Sequence, residues 1–289
     1  MGAKEVAENR RCYLCENQAL RKRKGAVRDN PALDILECLS CGLVFLSSFD
    51  HIDGRYYHEA RMHETPLDAD AWLKVTMRDD DRRFAALKRS LENKSVLDFG
   101  CGAGGFLMKA RAVSSRVAGV ELEERLKGHF KEVSLDVCSC LEDTASPFDV
   151  ITLFHVLEHL KDPIGLLSKL KDKLADNGRL IIEVPSANDA LLTLYENEAF
   201  SRFTYWSCHL FLFTDATLLA AAQKAGLKPQ EVRQTQRYPL SNHLYWLAKG
   251  KPGGHDVWGH LDSEELGENY EKQLASAGMC DTITGIFSK

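Results

Sequence analysis

The chain has 289 residues, 44% of them hydrophobic and 27% charged, with a formal net charge of −5. This is the composition of an ordinary globular protein with room for one sizeable core and a small satellite. Acidic residues outnumber basic ones, 42 to 37, which argues against a general nucleic-acid surface but leaves room for a local basic patch; no apolar run reaches the roughly 18 residues of a membrane span.

The N-terminal stretch MGAKEVAENRR has no apolar core, so no secretory leader is expected, and Val6 breaks the myristoylation pattern that Met1 and Gly2 begin. Nine cysteines in such a chain point to the reducing cytosol, where thiols pack or bind metal. Cys12, Cys15, Cys38 and Cys41 form two C-x2-C knuckles separated by residues 16–37. Each knuckle offers two thiolates to one ion, the tetrahedral set of zinc, and four cysteines leave no open position, so such a site is structural. DILECLSCGLVFL reads as a strand into the second knuckle and out again, the layout of a zinc ribbon, with Gly42 permitting the tight turn. Four unrelated thiols, or disulfides, are the competing readings. Arg21, Lys22, Arg23 and Lys24 lie in the spacer, either as a contact for a phosphate-bearing substrate or as a solvated ribbon turn.

Residues 46–72 show no clean period and read as a linker with one helical piece around Tyr56 and Tyr57. Those tyrosines and His58 either line a pocket mouth or pack the linker. A helix is expected over 72–92, from the spacing of Trp72, Val75, Phe84, Leu87 and Leu91. The strand SVLDF (95–99) then runs into a glycine turn, and GFLMKARAV continues as a helix. Gly100, Gly102 and Gly105 satisfy the dinucleotide pattern G-x-G-x-x-G. Asp98, Gly100, Gly102 and Gly104 instead satisfy D-x-G-x-G-x-G, the turn that holds S-adenosylmethionine. Glu121, ending the strand RVAGVE, suits the ribose of either ligand. Asp98 discriminates between them. At about 4 Å and an effective dielectric of about 20 it repels each pyrophosphate charge by about 4 kcal/mol, whereas it attracts the ammonium group of a methionine moiety.

Downstream, FDVITLFHVLEHLKDP reads as a buried strand (Val150 to Phe154), a turn and a helix. DNGRLIIEVPS supplies a turn at Asn177 and Gly178, then a strand ending before Pro185. This alternation predicts a parallel sheet covered on both faces. SEELGENYEKQLASAG reads as a helix capped by Ser263 and stopped at Gly278.

Taken together, the ribbon, VLDFGCGAGGF, GVELEE, FDVITLFHVLEHLKDP, GRLIIEVPS and CDTITGIFSK resemble a class I S-adenosylmethionine-dependent methyltransferase with an N-terminal zinc ribbon, similar to sugar and polysaccharide methyltransferases. The resemblance covers nearly the whole chain. It implies an α/β fold: a Rossmann-like seven-stranded, mostly parallel sheet with helices on both faces, preceded by a small zinc ribbon. CDTITGIFSK would be the antiparallel last strand and PQEVRQTQR the one before it. The expected domains are a ribbon over 1–48, a linker and leading helices over 49–92, and a methyltransferase domain over 93–289. An insert at about 238–278 would serve as a lid or interface.

The same resemblance places Asp98, Gly100, Gly102 and Gly104 at the methionine part of the donor, with Cys101 inside the turn. Glu121 would hold the ribose, Leu122 would pack on the adenine, and Ser139, Cys140 or Leu141 would lie at the adenine edge. Phe154 and His155 would lie beside the sulfonium. Cys138 and Cys140 have no metal spacing with any histidine. His155, His159 and His209 are candidate bases, and Tyr205 and Trp206 are either a platform for a sugar ring or core.

The implied cofactors are S-adenosylmethionine and a structural zinc ion. The expected acceptor is a sugar, glycan precursor or similar hydroxylated small molecule, methylated on oxygen by a cytoplasmic monomer or homodimer. The chain departs from deoxysugar C-methyltransferases in its first knuckle, CYLCE, and in lacking their C-terminal domain. The alternatives are a methyltransferase gripping RNA or protein through the ribbon, a donor-binding scaffold without turnover, and an NAD-dependent enzyme.

Overall fold

A computed structural model describes residues 10–52 and 67–289; Tyr56, Tyr57 and His58 fall outside the described residues. In chain order the strands are β1 (Leu20–Lys22), β2 (Ile35–Cys38), β3 (Val44–Leu46), β4 (Ser95–Phe99), β5 (Arg116–Val120), β6 (Val137–Cys138), β7 (Phe148–Phe154), β8 (Leu174–Pro185), β9 (Phe211–Leu212), β10 (Lys228–Thr235) and β11 (Thr282–Ser288). Seven of them form one sheet in the order β10-β11-β8-β7-β4-β5-β6. Strands β4 to β8 are parallel to one another in it, and β11 runs antiparallel between β8 and β10.

The central strands are near-continuous apolar runs, as a sheet buried on both faces requires. Because side chains alternate across a strand, Val96, Val150 and Ile181 enter one apolar cluster and Leu97, Ile151 and Ile182 enter another. The first cluster is closed by Leu87 and Leu91 of helix α1 (Ala69–Leu91) and by Phe106 and Ala110 of helix α2 (Gly105–Ala110). Leu167 and Leu170, with Leu218 and Ala221, close the second from two other helices. The turn expected at Asn177 and Gly178 instead lies inside β8. Pairing with β7 jumps there from Phe148↔Leu174 to Val150↔Arg179, so the extra residues are accommodated as a bulge that leaves the following apolar strand in register.

Strands β1, β2 and β3 form the ribbon, and β9 completes it as a fourth strand, with Val44 opposite Leu212 and Phe45 opposite Phe211. Phe211 packs its ring between Tyr13 and Phe49, with centroids 5.3 and 5.1 Å away. Ile35, Leu36 and Val44 belong to the same apolar cluster as Leu97 and Ile151. The ribbon therefore shares its core with the large sheet rather than folding as a satellite.

Between β10 and β11 the chain makes helices Leu240–Lys249 and Glu264–Ser276; Ser263 accepts a hydrogen bond from the Leu266 amide and Gly278 turns with φ 68°. Asp281 closes the base of this excursion by accepting from the Arg237 and Tyr238 amides, both at 3.0 Å. Among the described residues no helix is long and apolar enough to cross a membrane.

Candidate active site

The parallel order β5-β4-β7 brings three C-terminal strand ends side by side, where a doubly wound sheet opens to a ligand. Glu121 follows β5, Asp98 lies near the end of β4, and Phe154 and His155 end β7. Helix α1 lies across the glycine turn, and the cavity beside it measures about 390 Å³. Asp98 is buried and sits in register with Thr152, whose hydroxyl donates to it at 2.7 Å. Burial pushes its pKa up to about 7.

The turn is built for close approach. Gly100 has φ 76°, and a Cβ there would lie 2.4 Å from Val156 Cγ2. A Cβ on Gly102, φ 52°, would meet the Trp72 indole at 3.1 Å. The Gly102 amide in turn donates to Glu121 Oε2 at 2.8 Å, and the Glu123 amide donates to Glu121 Oε1 at 3.0 Å. Turn and carboxylate thus fix each other.

Charge decides what fits. Five carboxylates, those of Asp79, Asp80, Asp98, Glu121 and Glu123, line the cavity. Among the described residues its arginines are already committed, Arg83 to Glu183 and Arg237 to Asp79. Asp79, Asp80 and Glu123 have arginine partners, so it is the carboxylates of Asp98 and Glu121 that a pyrophosphate would meet, whereas an ammonium and a sulfonium are attracted to them. The family described as "Methyltransferase domain" matches residues 70–232, more than half of the chain. The chain belongs to the class I S-adenosylmethionine-dependent methyltransferases.

Relatives of this methyltransferase include two proteins named ubiquinone biosynthesis O-methyltransferase. The one from Bordetella bronchiseptica is 29% identical over 53% of this chain and 69% of its own. That from Thiobacillus denitrificans is 28% identical over 55% and 75%. Two solved structures share the fold. A Haloferax volcanii methyltransferase in complex with the Trm112 activator has a TM-score of 0.51 and 14% identity, covering 78% of this chain and 99% of that one. An S-adenosylmethionine-dependent methyltransferase from Thermotoga maritima has a TM-score of 0.50 and 19% identity, covering 76% and 93%.

Beside the β7 end of the methyltransferase cavity lies a polar network. His155 takes φ 53°, and its Nε2 is 2.9 Å from Arg237 Nη1 and 3.3 Å from Glu183 Oε1. Its Nδ1 is 3.3 Å from Glu158 Oε1. Glu183, on β8 and buried, accepts from Arg82 Nη2 at 2.8 and 2.9 Å and from Arg83 Nε and Nη2 at 3.0 and 2.7 Å. These partners hold its carboxyl well below the usual range against the opposing effect of burial.

Glu183→Gln leaves buried guanidinium groups without their counter-charge, so the expected loss is about 3 kcal/mol, or about 6–12 °C in melting midpoint. A thermal melt at pH 7 checks this. Because the folded pKa is depressed, the Glu183 contribution is complete above its ordinary 4.5 and fades as pH falls below that value. The gap between wild type and variant should therefore narrow in acid.

Of the residues singled out from sequence, Asp98, Gly100, Cys101, Gly102, Glu121, Leu122, Phe154 and His155 all line the cavity, as does His159. Gly104, Cys140, Leu141, Tyr205 and His209 are not among its lining residues. Gly104 caps α2 behind the turn. The Cys140 thiol donates to Glu142 at 2.6 Å, and Leu141 is core. Tyr205 is buried where a Cβ on Gly25 of the ribbon would touch its ring at 2.7 Å. His209 packs edge-on against His159, centroids 4.9 Å apart, and burial lowers its pKa to about 3; such a ring is a poor proton acceptor at neutral pH.

Sequence reasoning missed Thr76, Asp79, Asp80 and Arg83 of α1, and Arg237 and Glu183. Two signals were present. RDDDRRF puts charges on the face that Leu87 and Leu91 continue, and Glu183 interrupts the apolar run LIIEVP, where an ionised group demands a partner.

In the ribbon, Cys12 and Cys41 Sγ are 3.5 Å apart, as are Cys15 and Cys38 Sγ, and all four sulfurs lie within 4.8 Å of one another. That donor set fits one tetrahedral zinc ion.

Proposed function

We propose that this methyltransferase methylates a hydroxyl of a sugar, glycan precursor or similar small molecule. The observation that supports the reading is the partly open cavity, in which the glycine turn continues into His155, His159, Leu160 and Arg237. A volume of about 390 Å³ is that of a small-molecule site. The O-methyltransferase relatives support oxygen as the accepting atom.

Asp98 and the backbone of Gly100 and Gly102 would hold the methionine end of the donor, Glu121 the ribose and Leu122 the adenine. The bound donor supplies a methyl group on a positively charged sulfur. The remaining work is to align the acceptor and accept its proton. Arg237, fixed by Asp79, orients the acceptor, and His155, set among Arg237, Glu158 and Glu183, takes the proton. His155→Gln should lower kcat about a hundredfold, the low end of general-base effects, with donor Kd within about threefold; steady-state kinetics and calorimetry read the two separately. We read the four cysteines as a structural zinc site within a ribbon over 1–48, leading helices over 49–92 and a methyltransferase domain over 93–289.

A ribbon that grips RNA or protein is disfavoured by its own ion pairs. Arg21 bonds Glu37 at 2.8 Å, Lys22 pairs with Asp34, Lys24 bonds Glu196 at 3.1 Å, and Arg23 donates to the Ala187 carbonyl at 2.5 Å. Transfer of label from methyl-labelled S-adenosylmethionine into a host extract tests the reading. Label in a small fraction resistant to nuclease and protease supports it, and label lost with either enzyme overturns it.

A further inference from the structure

Arg237 reaches the cavity from beyond the end of a strand. β10 stops at Thr235, opposite Thr282 of β11, and the chain then leaves the sheet for the helices Leu240–Lys249 and Glu264–Ser276. A long side chain at the root of such an excursion has many rotamers to lose before it holds one pose. Its far end is held by the cavity. Nε donates to Asp79 at 3.0 Å, Nη2 bonds the same carboxylate, and Nη1 lies 2.9 Å from His155 Nε2.

The near end is held by Asp281. Its Oδ1 accepts from the Arg237 amide and its Oδ2 from the Tyr238 amide, both at 3.0 Å, and Oδ2 also accepts from Gln236 Nε2 at 2.9 Å. Gln236 Oε1 in turn accepts from the Asp281 amide at 3.1 Å. One carboxylate thus grips Gln236, Arg237 and Tyr238 in succession. Asp281 is itself tied to the sheet, since its carbonyl accepts from the Ser186 amide at 2.9 Å, directly after β8. β8 also carries Glu183, which lies 3.3 Å from His155, so Arg237 and His155 are both referred to one strand. The helices of the excursion meet the grip at Gln236. Its Nε2 lies 3.3 Å from His243 Nε2, and His243 Nδ1 lies 2.6 Å from the Tyr270 hydroxyl.

We propose that Asp281, with Gln236, is a positioning residue for methyl transfer: it sets the backbone from which Arg237 reaches Asp79 and His155 at the acceptor end of the cavity. This rests on the reading that Arg237 orients the acceptor. The charge state matters as well as the shape. Every group that faces the Asp281 carboxylate in these bonds is an N–H donor, and only a group that accepts on both oxygens satisfies them all. Asparagine has the same outline but one acceptor oxygen, and its NH2 group would face an N–H.

Asp281→Asn should lower label transfer from methyl-labelled S-adenosylmethionine into a host extract by about 10- to 100-fold, the effect of about 1 Å of misplacement. Affinity for S-adenosylhomocysteine should stay within about threefold, because none of these bonds reaches the glycine turn or Glu121. A double-mutant cycle separates positioning from general support. In an Arg237→Ala background Asp281→Asn should change transfer by less than about twofold, and an equal fall in both backgrounds overturns the inference. A reading without turnover is the Arg237 Nε–H signal in proton–nitrogen NMR, slowed in exchange by its bond to Asp79. It should be lost in Asp281→Asn and weakened in Gln236→Leu, which removes one member of the grip and serves if the first variant does not fold. An unchanged signal in the folded variants overturns the inference. Wild-type transfer by Arg237→Ala would instead remove the acceptor role of Arg237, and with it the catalytic half of the inference, while the signal alone shows whether Asp281 sets Arg237.

Discussion

Asp98→Asn is expected to weaken S-adenosylhomocysteine binding by about 30- to 4,000-fold, the equivalent of the about 2–5 kcal/mol that follows from truncating one partner of a buried charge pair. Asparagine keeps the shape and can still bond Thr152, so the fold is retained while the charge facing the donor's ammonium group is removed. The pH dependence is a sharper signature. In the free protein burial raises the Asp98 pKa from an ordinary 3.8 to about 7. A raised carboxyl pKa stabilises the free fold below 3.8, and that contribution is lost as pH rises through about 7. A cationic ligand needs the ionised form, so binding below that pH must release a proton. Donor affinity should therefore rise with pH between about 5 and 7, by at most about tenfold per unit, and level off above. In Asp98→Asn this slope should vanish. Calorimetry at three pH values decides the matter, and a folded variant that binds as tightly as wild type with the same slope would remove Asp98 from the donor site.

The expectation for Asp98 rests on residues that are covalently close, and the structure places it at the cavity. Strand, turn and helix follow one another within VLDFGCGAGGF, and the glycine spacing is a local consequence of positive φ and close ligand approach. The seven strands came from the family resemblance, whereas the apolar strands and their parallel sheet were legible for a similar reason, since alternating strand and helix patterns leave few ways to close such a sheet. The network around His155 was not. Asp79, Glu183 and Arg237 come from α1, from β8 and from the connection after β10, and no short window of sequence contains two of them. What sequence offered was a demand without an answer, a charged run on an amphipathic helix and a glutamate in an apolar strand. Tyr205 and His209 lie off the cavity lining for the opposite reason. YWSCHLFLF carries aromatic and basic chemistry in one short stretch, but the two-residue strand Phe211–Leu212 is taken up by the ribbon. Tyr205 is carried against the ribbon and His209 into the wall behind the cavity.

That shared strand makes the ribbon's cysteines matter beyond the ribbon. Cys41→Ser should lower the melting midpoint by about 8–16 °C, since loss of a structural metal belongs with the changes that exceed about 4 kcal/mol and a chain of this size shifts by about 2–4 °C per kcal/mol. The damage should be directional. β3 pairs with β9, the Leu46 amide bonds the Leu210 carbonyl at 3.0 Å, and the Ala187 amide bonds the Phe213 carbonyl at 2.7 Å. A ribbon without its ion therefore loosens residues 205–213, and with them Cys208 and His209 beneath His159. The half of the cavity proposed for the donor hangs on β4, β5 and α1, none of which is hydrogen-bonded in the ribbon sheet. Cys41→Ser should thus retain S-adenosylhomocysteine affinity within about threefold at a temperature where it is folded, while methyl transfer falls at least about tenfold, the effect of about 1.4 kcal/mol of lost alignment. Calorimetry beside a transfer assay separates the two. A variant that melts and turns over like wild type would mean that the four cysteines hold no structural ion, and equal loss of donor affinity and turnover would mean that the two halves of the site are not independent.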